Sequence, residues 1–175
     1  MGKILLLLEK GHIKMELLSK WVEYLHTSTE AERKEAAIIL DALEAKRNNI
    51  HSTFVASLLN LTVTNIDLEK KTLAMSMDNS TLLDNSLSIL HGGFSATFLD
   101  TVMGTLASKI TPVHKTTVTS EIKVNFLRPG IGEKFSCQAS VIHQGSKIIV
   151  VEGKMMNEMQ KIVAHATGSF FIIDK

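Results

Sequence analysis

Apolar and polar positions alternate with two different periods along this chain, and the change comes near residue 61. Before it, the spacing is helical. "MELLSKWVEYLHT" (residues 15–27) puts Leu17, Leu18, Trp21, Val22 and Leu25 on one side of a helix. "TEAERKEAAIILDALEAKRNN" (29–49) carries a second stripe, Ala36, Ile39, Leu40 and Leu43, and ends at Asn48-Asn49. Thr29 and Glu32 have the spacing of a capping box at its start. "HSTFVASLLN" (51–60) reads as a short helix leading onward. These helices are expected to pack on the rest of the chain or on a partner subunit. The acidic second helix does not suit a DNA-reading element.

From Leu61 the period is two. "LTVTNID", the turn "LEKK" and "TLAMSMD" predict a hairpin over residues 61–78. A long apolar helix follows over residues 93–110. Four strand-like runs come next: "TTVTSEIKVNFL", closed by Pro129-Gly130; "EKFSCQASVIH", closed by Gln144-Gly145; "KIIVVEGKMMN"; and "KIVAHATGSFFII". Short connections predict antiparallel neighbours. One helix and one large antiparallel sheet make an α+β domain in which the sheet wraps the helix. The expected division is a helical extension over residues 1–50 and a main domain over 51–175.

Composition narrows this picture. With 45% apolar and 21% charged residues, a packed core is expected and general disorder is not. A net charge of +1 argues against a nucleic-acid protein held by a broad basic surface. The single cysteine, Cys137, permits no intramolecular disulfide and no cysteine cluster for a metal, which fits a cytoplasmic setting. "KILLLLEK" holds only five consecutive apolar residues, too few for a signal-peptide core or for a membrane span of about 20 residues.

The candidate chemistry lies in "LSILHGGFSATFLDTVMG". Asp100 is the only charged residue between His91 and Ser108, within a helix otherwise fit for burial. A buried carboxylate needs a partner, a raised pKa or a wet cleft. Gly92 and Gly93 open the helix, so backbone N–H groups there face any approaching group unobstructed, and the helix dipole favours negative charge. Gly92 and Asp100 are eight residues apart, about 12 Å along one helix, too far to share one reacting carbonyl. Two helices meeting across a two-fold axis remove that distance. The pattern therefore predicts a dimer with sites at the subunit interface.

"NSLSILHGGFSATFLDTVMG" followed by "TTVTSEIKVNFLRPG" resembles the hot-dog-fold thioesterases, in the phenylacetyl-CoA thioesterase-like branch of the 4-hydroxybenzoyl-CoA thioesterase superfamily, over about residues 52–173. The resemblance implies a hot-dog fold, hydrolysis of acyl-CoA or related thioesters without metal or other cofactor, and a homodimer or homotetramer with no nucleic-acid or membrane partner. It implies that the Gly92 amide polarises the thioester carbonyl. Asp100 of the neighbouring subunit would activate water or attack directly. Asn85 would act near the carbonyl or the water, His91 would fix the loop, and Thr119 would lie near the acid. Gly93 and Phe94 would border the substrate, and Arg128, Lys134 and Lys147 would supply a basic rim for the phosphates of CoA. Two other readings share the fold: an enoyl-CoA hydratase or dehydratase, and a non-catalytic acyl-CoA sensor with the N-terminal helices as its output.

Overall fold

The structure, a computed structural model, describes the backbone from Gly2 to Lys175 and side chains from Lys14 onward. The apolar run at residues 4–8 weighed above lies outside the described side chains. Two compact units divide the chain, Met1–Asp41 and Ala42–Lys175.

The first unit is built on α1 (Gly2–Thr27) and the start of α2 (Glu30–Arg47). The capping box forms: Thr29 N–H donates to Glu32 Oε2 at 2.7 Å, and Glu32 N–H donates to Thr29 Oγ1 at 3.3 Å. Those donors, the Thr29 backbone N–H first, hold the Glu32 carboxyl below its usual range. Arg33 ties α2 to the end of α1 by donating to the Leu25 carbonyl at 3.1 Å. Leu17, Leu18, Val22 and Leu25 of the α1 stripe are exposed, as are Ile39 and Leu40 of α2.

The second unit continues with α3 (Phe54–Leu58), β1 (Thr62–Asp67), β2 (Thr72–Asp78), α4 (Gly92–Lys109), β3 (Lys115–Phe126), β4 (Lys134–Gln144), β5 (Ile148–Asn157) and β6 (Ile162–Asp174). Six strands make one antiparallel sheet in the order β1-β2-β4-β5-β6-β3. Its concave face wraps α4, which touches β2 through β6, giving the hot-dog arrangement. Phe98, Leu99, Val102, Met103 and Leu106 of α4 are fully buried. Each such side chain contributes about 1.5–3 kcal/mol relative to exposure. Against them stand Phe135, Cys137, Ile149, Val151 and Met155, alternate residues of β4 and β5.

One feature of the topology departs from expectation. Short connections suggest that β3 pairs with β4, yet β3 pairs with β6 at the sheet edge and β4 sits beside β2. The cause is the connection around Pro129-Gly130, which is not a hairpin turn. Leu127 and Arg128 both donate their N–H to the Val163 carbonyl, and the Gly130 carbonyl accepts from Leu90. Gly130 is buried so tightly that a Cβ there would lie 2.9 Å from Leu90 Cβ. The segment is thus clamped across the end of the sheet, beneath the loop that enters α4.

On the outer face of the sheet, Glu152 accepts from Ser140 Oγ at 3.0 Å and lies 3.4 Å from His165 Nε2. Ser140, then His165, hold its carboxyl below the usual range against the effect of burial, with Lys154 adding its charge. A carboxyl whose pKa is depressed by folding stabilises the fold above its ordinary titration range, and that contribution is lost as pH falls through the lowered value. Glu152→Gln is therefore expected to lower Tm at neutral pH. The difference from wild type should close in acid, as melts across a pH series would report.

Candidate active site at the start of α4

Helix α4 begins one residue earlier than expected, and that residue is Gly92. His91 is its N-cap: Nδ1 accepts from Gly93 N–H at 2.9 Å. This bond puts the lone pair on Nδ1 and any ring proton of the neutral form on Nε2. The His91 carbonyl accepts from Phe94 N–H at 3.0 Å and Ser95 N–H at 3.2 Å. Three donors of the first turn are thereby used within the chain. The Gly92 N–H is left without an acceptor among the described residues, at the positive end of the helix dipole.

The paired glycines have a steric explanation. A Cβ on Gly93 would stand 3.0 Å from His91 Nδ1, so Gly93 admits the capping ring. A Cβ on Gly92 would stand 3.2 Å from Phe126 Cζ, so Gly92 admits that ring. Phe94 is half-buried against the core, its ring edge-on to His91 at 6.3 Å between centroids.

Asp100, two turns on, is also half-buried, and Thr119 Oγ1 donates to its Oδ1 at 2.9 Å. Thr119 faces the helix because of a β-bulge, a feature not anticipated from the chain. The β3–β6 register shifts between Thr119 and Glu121, and the intervening Ser120 turns its hydroxyl to the Ser169 carbonyl. Before the bulge, Thr117 and Thr119 face α4, and Thr117 meets Ser108 at 2.9 Å. After it, Ile122 and Val124 take the inward phase, and Phe126 continues it onto Gly92. One extra residue therefore separates a hydroxyl stretch beside the acid from an apolar stretch beside the helix start. A groove of about 650 Å³ opens along the hydroxyl stretch, with Asp100 and Thr119 at one end.

The remaining candidates are distributed as follows. Asn85 lies in the loop before α4 and accepts from Leu87 N–H at 2.8 Å through Oδ1, an Asx turn that leaves its Nδ2 for other partners. Arg128 donates to the Ile162 carbonyl at 2.7 Å. Lys134 pairs with Asp78 at 3.2 Å. Both are at the end of the sheet where α4 begins. Lys147 is at the other end, where its carbonyl accepts from Ile172. The length of β4, roughly 33 Å, separates it from Lys134, so one chain does not gather these three cations into a single rim. Cys137 offers no competing nucleophile, since burial pushes its thiol up to about 12. No helix among the described residues is long and apolar enough to cross a membrane.

Comparisons with known proteins bear on the family. Residues 87–164 match the family model of the thioesterase superfamily. The BH2602 protein of Bacillus halodurans, whose crystal structure contains CoA, is 34% identical with a TM-score of 0.82, over 89% of this chain and 99% of that one. The medium/long-chain acyl-CoA thioesterase YigI of Escherichia coli K12 is 32% identical over 49% of this chain and 63% of its own, so the chain spans less than two thirds of that relative's length. The SSO2140 protein of Saccharolobus solfataricus is 32% identical over 62% of this chain and 76% of its own. With a CoA-bound relative matched along almost its whole length, and with the matched segment running from the loop before α4 into β6, this chain belongs to the thioesterase superfamily.

Proposed function

We propose that the protein is an acyl-CoA thioesterase that works as a homodimer, each site joining Gly92 of one chain to Asp100 of the other. The observation that carries this reading is the Gly92 N–H, without an acceptor among the described residues, at the start of the helix that bears Asp100 eight residues on. The thioester carbonyl accepts a hydrogen bond from that N–H, which strengthens as the oxygen becomes an oxyanion. In the chain that supplies the carboxylate, Thr119 Oγ1 donates to Oδ1 of its own Asp100, leaving Oδ2 to take a proton from water. The water oxygen bonds to the carbonyl carbon, the carbon–sulfur bond breaks, and the thiolate leaves with the proton returned from the acid.

Edge strand β3 supports the dimer. This 12-residue strand ends the sheet, with no further strand beside it among the described residues and with Val118, Phe126 and Leu127 exposed nearby. Such an edge invites pairing with a second copy. Antiparallel β3–β3 pairing about a two-fold axis sets the two α4 helices side by side in opposite directions, so each helix start approaches the other's acid.

Incubation with aliphatic and aryl acyl-CoAs and a thiol reagent tests the activity. Release of free CoA is expected. Loss of enoyl absorbance without CoA release would instead indicate a hydratase, and saturable binding without turnover a sensor. Complementation tests the shared site. Asp100→Asn and Gly92→Pro homodimers should each be nearly inactive. In a mixed dimer one site carries both lesions and the other carries none. Random exchange should therefore restore about a quarter of wild-type activity. Folded, demonstrably exchanging subunits that regain nothing would rule the shared site out.

A further inference from the structure

We infer that Asn79 is a positioning residue, whose side-chain amide fixes the base of the loop that carries Asn85 and runs into His91 and Gly92; this rests on the thioesterase reading above. A single NH2 group joins the two supports of that loop.

The loop is a short, closed excursion. Asp84 and Leu90 face each other across an isolated antiparallel bridge. Beyond the bridge, Asn85 N–H donates to the Ile89 carbonyl at 2.8 Å, and Ser88 N–H donates to the Asn85 carbonyl at 3.0 Å. On the other side of it, His91 N–H donates to the Leu83 carbonyl at 2.8 Å. The base is therefore Asp84, the residue before Asn85, and Leu90, the residue before the N-cap of α4. A shift of the base moves both the Asn85 amide and the Gly92 N–H.

Two contacts hold this base to the end of the sheet. On one side the Gly130 carbonyl accepts from Leu90 N–H at 2.9 Å. On the other, Asn79 Nδ2 donates to Asp84 Oδ1 at 3.2 Å. The same nitrogen donates to the Gly132 carbonyl at 3.1 Å, and Asn79 N–H donates to the Glu133 carbonyl at 2.7 Å. Asn79 thus ties Asp84 to the segment that holds Leu90.

The chemistry of the contact selects the residue type. Both neighbours of Nδ2 are acceptors, so one atom must supply two hydrogens. A side-chain amide does so, a hydroxyl has one, and a carboxylate has none and would repel Asp84. The amide cannot be turned over, because its oxygen would then face the Asp84 carboxylate and the Gly132 carbonyl. In the observed orientation Oδ1 is buried with no donor among the described residues, so the nitrogen alone holds the group. An apolar residue would avoid that unpaired acceptor. What the amide adds is its grip on Asp84 and Gly132.

The test compares Asn79→Ala, Asp84→Ala and Asp84→Asn with wild type. Asp84→Asn keeps an oxygen for Asn79 Nδ2 to donate to, and Asp84→Ala does not. In both alanine variants kcat for acyl-CoA hydrolysis is expected to fall about tenfold, within the range for slightly displaced reacting groups. KM and the affinity for free CoA should change by less than about twofold, since the Gly92 bond strengthens only as the oxyanion forms. Asp84→Asn should keep its kcat. Asn79→Ala/Asp84→Ala should be no slower than the slower single variant, because the two residues are ends of one contact. Hydrogen–deuterium exchange over residues 84–92 should be several-fold faster in the alanine variants and unchanged in Asp84→Asn. A lowered Tm with kcat intact would make Asn79 a purely structural residue and overturn the assignment. So would Asp84→Asn as slow as Asp84→Ala, or slow turnover with exchange unchanged. If Asn79→Ala melts below the assay temperature, Asp84→Ala, which keeps the contact with Gly132, decides by the same measurements. Wild-type protein that hydrolyses no acyl-CoA defeats the thioesterase reading instead, and the exchange comparison then still decides whether Asn79 holds the loop.

Discussion

Asp100→Asn is expected to lower kcat for thioester hydrolysis by at least ~10²-fold while leaving the fold intact, the scale set by general-base catalysis. The substitution is nearly isosteric. Thr119 Oγ1, which donates to Oδ1 at 2.9 Å, donates equally well to the carbonyl oxygen of an asparagine. Only the anionic proton acceptor is removed. The half-buried position carries no salt bridge among the described residues, so the loss of charge leaves no orphaned cation. Steady-state kinetics together with a thermal melt make the comparison. Near wild-type turnover would remove Asp100 from the chemistry. A large fall in Tm would show that the carboxylate serves the fold.

Gly92→Pro should cost about 10²- to 10³-fold in kcat, the scale of one lost oxyanion donor. The local geometry makes this an unusually clean deletion of a single N–H. Gly92 is the first helical residue, the position where proline is best tolerated because its missing donor has no helical acceptor. The residue before a proline prefers extended backbone, and His91 already sits at φ −61° and ψ 134°. A Cβ there would stand 3.2 Å from Phe126 Cζ, the tip of a side chain whose residue is 57% exposed in the single chain. Gly92→Ala makes the same collision but keeps the N–H, so it should lose far less. Equal losses in the two variants would trace the effect to the displaced Phe126 ring and away from the hydrogen bond. The difference between them isolates the donor itself.

Much of this architecture was legible along the chain, because local rules govern it. The capping box at Thr29 and Glu32 needs only four consecutive residues, and its bonds form as expected. The β1–β2 hairpin, the limits of α4 to within a residue, and the polar strip holding Asp100 follow from periods of 2 and 3.6. The distance argument that one helix cannot bring Gly92 to Asp100 uses nothing but helical rise. Asn85 in a turn was also within reach, since asparagine favours such sites for its own side-chain bond.

Other features depend on contacts between residues far apart in sequence, and these the tertiary structure alone decided. Strand order is one: the clamp of Leu127 and Arg128 on Val163, and of Gly130 on Leu90, sends β4 past β3 to the other side of the sheet. The basic candidates are another. Lys134 and Lys147 were both assigned to one basic rim, yet β4 carries them to opposite ends of the sheet, while Lys109, Lys115 and Lys175 come together from distant parts of the chain. The bulge at Ser120 is the most consequential. In "TTVTSEIKVNFL" an unbroken alternation from Thr119 would turn Glu121 and Lys123 inward. The one-residue slip against β6 turns Ile122, Val124 and Phe126 inward instead, and still leaves Thr119 on Asp100. A strand by itself gains nothing from that slip. The concave face must meet apolar residues of α4 at one end and a carboxylate at the other, and burying each against a matching side chain outweighs the ladder bonds lost at the bulge.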